Sequence, residues 1–152
     1  MILQIFAATI GVLGFVILFH APQKSYLACA FCGGISWFFY LALIQCHASL
    51  SVAAIFSTIT VTIIARILAV ALQMPATIFL VSGIFPLVPG AGIYYTTYYL
   101  ITDQWELFKS KGVETVGLAG AIALGMIIGS ELPQKLIHRI AHLLQKAALP
   151  KK

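Results

Sequence analysis

Five apolar runs, separated by short polar turns, fill nearly all of the chain up to residue 131. Residues 2–19 hold no charge. A secretory signal would carry basic residues ahead of its apolar stretch, whereas here the nearest, Lys24, lies behind it, so the run reads as a retained spanning helix. Residues 26–46 make the second run, with Gly33 and Gly34 in its middle and Trp37, Phe38, Phe39 and Tyr40 as packing or lipid-facing bulk. The third, residues 49–72, is rich in threonine and holds Arg66, the one basic residue inside an apolar run. Residues 76–102 and 113–130 complete the set. Crossing the ~30 Å hydrocarbon core takes about 20 apolar residues, so the pattern predicts an all-α membrane domain over residues 1–131 with about five spans. Residues 103–114, with three acids and two lysines, are expected to form the longest polar connection.

Beyond residue 131 the period changes. Leu132, Leu136, Ile140, Leu143, Leu144 and Ala147 share one helical face, and Lys135, His138, Arg139, His142 and Lys146 share the other. Residues 132–152 are thus expected to form a basic amphipathic cytoplasmic tail that lies on anionic lipid or docks on the rest of the protein. His138 and His142 have i, i+4 spacing, but no acidic or cysteine ligand stands beside them, and no metal is expected.

The fourth run is interrupted by Pro86-Leu87-Val88-Pro89-Gly90-Ala91-Gly92. Each proline lacks an amide proton and clashes with the carbonyl four residues back, so Pro86 should free the Ser82 carbonyl and Pro89 that of Phe85. In hydrocarbon, such a break persists only where protein or a polar cavity surrounds it. Residues 76–85 would rise roughly 15 Å as a helix, which predicts a break near half depth, and a discontinuous helix of this kind builds the substrate site of many secondary transporters. No Ser, Thr, Asp or Asn stands where it would cap the second half-helix. The amides from Gly90 to Ile93 therefore form a candidate anion site suited to a carboxylate. Pro86, Pro89, Gly90 and Gly92 shape this candidate site, with Tyr94 one turn beyond. Arg66 is either a counter-charge for the same ligand or a snorkelling side chain. In the last run Gly117, Ala121, Gly125 and Gly129 recur every four residues as a helix-packing face.

Composition agrees with the pattern. Of the 152 residues, 61% are hydrophobic and 9% charged, and mean hydropathy is +1.03. The net charge of +5 is no nucleic-acid signal, because five of the nine Lys and Arg follow Leu132, directly behind the last apolar run. With five spans, seven of the nine fall on one side, which the positive-inside rule assigns to the cytoplasm together with the C-terminus, leaving the N-terminus outside. Cys29 and Cys32 have CxxC spacing without a second ligand pair, and read as packing residues. The chain has no HExxH, no GxSxG, no carboxylate pair within the spans and no nucleotide-binding loop, so neither an enzyme nor a cofactor is expected.

Pro75-Ala-Thr-Ile-Phe79, followed by Pro86-Leu-Val-Pro-Gly90 and Tyr94, between an arginine-bearing third helix and a glycine-rich last one, resembles the C-terminal half of the threonine/serine exporter family. Single-chain members join two membrane halves and a soluble region, and others split them between a larger and a smaller polypeptide; this chain is similar to the small subunit. The resemblance implies a cell inner membrane exporter of small carboxylates, either threonine and serine or dicarboxylates such as succinate, driven by an ion gradient. It also implies a partner, the larger subunit carrying the other membrane half. The alternative is a non-transporting structural subunit that anchors or assembles a partner.

Overall fold

Four helices end on a non-glycine residue in the left-handed region: His20 (φ 52°), His47 (φ 61°), Gln73 (φ 53°) and Asp103 (φ 56°). After the first, the His20 amide donates to Ile17 O and the Ala21 amide to Val16 O, the bond pair that turns a chain sharply at a helix C-terminus. The same pair recurs at His47 and Ala48, and at Asp103 and Gln104. These turns set successive helices side by side. The computed structural model describes residues 1–135, 137 and 139–141, and all regular structure among them is helical. The elements are α1 (Ile2–Leu18), α2 (Tyr26–Gln45), α3 (Leu50–Leu72), α4 (Ala76–Ile84), α5 (Gly90–Ile101) and α6 (Trp105–Ser130), with short 3-10 turns at Gln23–Ser25 and Phe85–Leu87.

Helices α1 to α4 close around Val12, Val16, Cys29, Cys32, Val61, Ala65 and Phe79. The two cysteines are therefore core residues, as expected. Lipid supplies little drive for apolar side chains to cluster, so small residues decide how near the backbones come. Gly33 lies against Val12, and Gly83 against Val61 and Cys32, so closely that an added methyl would collide. A second cluster, Ala54, Leu87, Ala121 and Ile122, joins the end of the 3-10 turn to α3 and to the middle of α6.

Three stretches are long and apolar enough to span a membrane, Gln23–Gln45, Leu50–Leu72 and Trp105–Ser130, and a fourth arises if Ala76–Leu87 and Gly90–Ile101, bent by 54°, count as one. The remaining expected span, α1, is a 17-residue apolar helix about 26 Å long.

The structure departs from the sequence expectations in two places. The polar connection at 103–114 is mostly helix: α6 begins at Trp105 rather than at residue 113, and the turn before it is Thr102–Gln104. Charges were read as loop, yet a helix that leaves hydrocarbon continues wherever its backbone bonds do. The break also lies nearer one end of α3 than its middle. Leu87 packs at Ala54, only about 6 Å from the Leu50 end of α3. Counting rise from residue 76 ignored the different heights at which neighbouring helices begin. In the described part of the tail, for which the sequence left lipid contact and docking both open, Ile137 and Ala141 are buried at 3% and 0% exposure, although neither belongs to the apolar face traced in the sequence. Leu136, His138, His142, Leu143, Leu144, Lys146 and Ala147 of the two faces traced in the sequence lie outside the described residues.

Candidate functional site at the helix break

The break is built by two prolines and secured by a serine two helices away. At Phe85–Leu87 the backbone tightens from four-residue to three-residue bonding, and the Val88 amide reaches Phe85 O at 3.3 Å, so the carbonyl freed by Pro89 is satisfied locally. The same tightening releases Gly83 O. Ser36 Oγ of α2, fully buried, donates to it at 2.6 Å while lying 2.9 Å from Gly33 O. A buried carbonyl without a partner costs about 1–3 kcal/mol, so Ser36 is what makes the kink tolerable at this depth.

Past the kink, α5 opens on Pro89 with no side-chain cap. Of the amides expected to face a ligand, Gly90 N–H donates to Val88 O at 2.8 Å and Ile93 N–H to Pro89 O at 3.0 Å. Those of Ala91 and Gly92 meet no acceptor among the described residues, so the anion site is narrower than the four amides suggested. They border a cleft of about 330 Å³. Tyr40 and Leu50 from the α2–α3 hairpin form one wall, Pro89, Ala91, Gly92 and Tyr95 a second, and Lys111, Glu114, Thr115 and Leu118 of α6 the third. Inside it, Lys111 Nζ stands 2.8 Å from Glu114 Oε2, each side chain a little under half exposed. Thr115 Oγ1 donates to Lys111 O at 2.7 Å and lies 3.5 Å from Thr96 Oγ1, which donates to Gly92 O at 2.7 Å. The cleft thus offers one cation, one carboxylate and a helix N-terminus within an otherwise apolar wall, an arrangement suited to a small anion or zwitterion.

Not every residue singled out in the sequence comes to this place. Pro89 and Gly92 line the cleft, and Gly90 stands beside them with open space where a side chain would go. Pro86 faces a separate cleft with Gln4, Ala7, Ala8 and Trp37. Tyr94 is 65% exposed, stacked on Tyr98 and edge-on to Tyr95. Tyr95 is the tyrosine that enters the cleft wall, because the residue one turn after Gly92, not Gly90, points the same way.

Arg66 is further removed. Its Nη1 donates to Gly129 O at 3.1 Å and to Ser130 O at 2.8 Å, the last carbonyls of α6, roughly 18 Å along α3 from Ala54. The guanidinium thus neither pairs with a ligand at the break nor simply snorkels; it caps a helix C-terminus, where a cation is favoured. Of the packing face, Ala121, Gly125 and Gly129 are buried, and a methyl on Gly125 would stand 2.7 Å from Ile55 O. Gly117 is exposed with nothing near its missing side chain. Lys111, Glu114, Thr115 and Tyr40 were missed. The signal was present: Lys111, Glu114, Thr115 and Leu118 fall on one face once the helix is extended upstream of residue 113.

Comparison with known proteins adds one finding. The family model described as Threonine/Serine exporter, ThrE matches residues 4–132, which takes in nearly all of α1, the whole of α2 to α6 and all of the cleft. No curated protein and no solved structure matches the chain.

Proposed function

This chain belongs to the threonine/serine exporter family, a family of transporters, and from that premise we propose that it is the small membrane subunit of a secondary exporter of small carboxylates. The observation that carries the reading is the uncapped start of α5 opening into a cleft that also holds Lys111. The substrate carboxylate is received by the Ala91 and Gly92 amides and by the helix dipole behind them. Threonine and serine fit the size of the cleft, and so does a dicarboxylate such as succinate. A larger subunit contributes the other membrane half, because alternating access generally rests on two related halves and this chain has one broken helix. The protein lies in the cell inner membrane with its N-terminus outside and C-terminus inside, so the Leu50 end and the cleft face outward, where an exporter releases its substrate.

Gly90 offers a clean test. A side chain there meets nothing within 4 Å, so Gly90→Val should fold and reach the membrane at normal levels while crowding the approach to the neighbouring amides. Export of threonine or succinate from cells carrying this variant should fall at least ten-fold, the effect of losing about 1.4 kcal/mol of binding. Unchanged export would leave PLVPG as a kink alone, and a structural subunit would then be the better reading. Gly92→Val is the poorer probe, since its side chain would strike Thr115 and part α5 from α6.

A further inference from the structure

We propose that Lys111 is the residue that selects carboxylate substrates, and that the Lys111–Glu114 pair is a latch which the incoming carboxylate opens by taking Glu114's place. The inference rests on the export reading above and deepens it. Two ion pairs occur on α6 among the described residues, and they differ in a telling way. Glu106 and Lys109, 3.4 Å apart and largely solvated, stand with the acid N-terminal to the base, the order that agrees with the helix dipole. Lys111 and Glu114 have the reverse order, the acid toward the C-terminus, yet they are closer, at 2.8 Å, and they alone stand in a cleft wall. A pair so oriented on one helix, nearly half exposed, is held weakly. Its ammonium keeps two donors beyond the one given to Glu114, and Lys111 lines the same cleft as Ala91 and Gly92, whose amides lack acceptors.

A carboxylate entering there replaces Glu114 as the partner of Lys111 and adds the α5 amides, which Glu114 does not reach. The exchange leaves the number of charges on Lys111 unchanged. It also frees Glu114, which suits the ammonium of an amino acid and opposes a second carboxylate, so Glu114 tunes the choice between the two substrate types while Lys111 recognises what they share.

The test is counterflow in membrane vesicles from cells producing the full chain with its native exporter partners, using L-threonine and succinate as probes and L-threonine amide as a competitor without a carboxylate. Lys111→Gln should raise KM roughly 10- to 100-fold for the transported acid, the usual loss for a hydrogen bond to a charged group, with a smaller change in maximal rate. The same variant should distinguish threonine from its amide less sharply than the native protein, since only the α5 amides then favour the carboxylate. Lys111→Arg should stay within a few-fold of the native protein. Glu114→Gln should move KM for succinate downward, because it removes the internal competitor. A purely structural pair predicts otherwise: both neutral variants impair transport alike, and the exchange Lys111→Glu with Glu114→Lys restores it. That outcome, or an unmoved KM in Lys111→Gln, overturns the proposal. If native vesicles carry neither acid, the export reading itself fails; normal native flux with indifferent Lys111 variants rejects the latch alone.

Discussion

Arg66 shows how one side chain changes meaning once its partners are known. In the sequence it is an isolated charge in an apolar helix; in the fold it holds two terminal carbonyls of α6 and ties that helix to α3. A lysine keeps the charge but not the planar fork, so Arg66→Lys should retain part of the effect, and Arg66→Met should lose about 1–2 kcal/mol. Both should appear as a lower unfolding temperature in detergent, with transport per folded molecule unchanged. A large loss of flux at normal stability would return Arg66 to the substrate path. Ser36 is the converse case. Nothing in the sequence marks it, because its role depends on a carbonyl that becomes available only when α4 tightens into the 3-10 turn. Ser36→Ala should cost about 1–3 kcal/mol by the same measurement, although it removes a single oxygen.

Among the helices, what could be read from the chain depended on whether the signal was local. Proline chemistry is local, and the break falls where Pro86 and Pro89 place it. The apolar runs are local too, and α1, α2 and α3 match theirs to within a residue or so at each end. Depth is not local: it depends on where α3 and α6 begin in space, and so the kink lies nearer the Leu50 end than residue counting implied. The start of α6 was hidden by the habit of equating charge with loop, and with it went Lys111 and Thr115. The glycines of α6 divide along the same line. Their spacing predicted a packing face, but only the fold tells Gly125, pressed against Ile55 O, from the open Gly117. Accordingly Gly125→Ala should destabilise by about 1–3 kcal/mol through overpacking, whereas Gly117→Ala should be neutral or slightly stabilising as a helix former. Paired thermal melts of the two variants check this, and equal shifts would mean that the α3–α6 contact is looser than the structure has it.

At the level of the whole molecule, α1 to α4 make a tight bundle, and α5 with the first half of α6 extends past its Leu50 end. No residue of α5 is buried, and its main neighbour is α6. The charges Asp103, Glu106, Lys109, Lys111 and Glu114 all lie on this extension, which agrees with its leaving the hydrocarbon on the side proposed to be outside. In a version without native cysteines, a single cysteine at Asp103 should react with an impermeant thiol reagent on intact cells and one at Lys24 should not; the reverse pattern would turn the cleft toward the cytoplasm. Gly125 and Gly129 both press on α3, an added methyl standing 2.7 Å from Ile55 O at one and from the Thr62 side chain at the other, so α6 is clamped to its support at two successive turns. Glu114 lies roughly 17 Å beyond the nearer clamp. The stretch that carries Lys111 is therefore a cantilever, and the cleft can widen by its bending while the Arg66 end of the same helix stays in place.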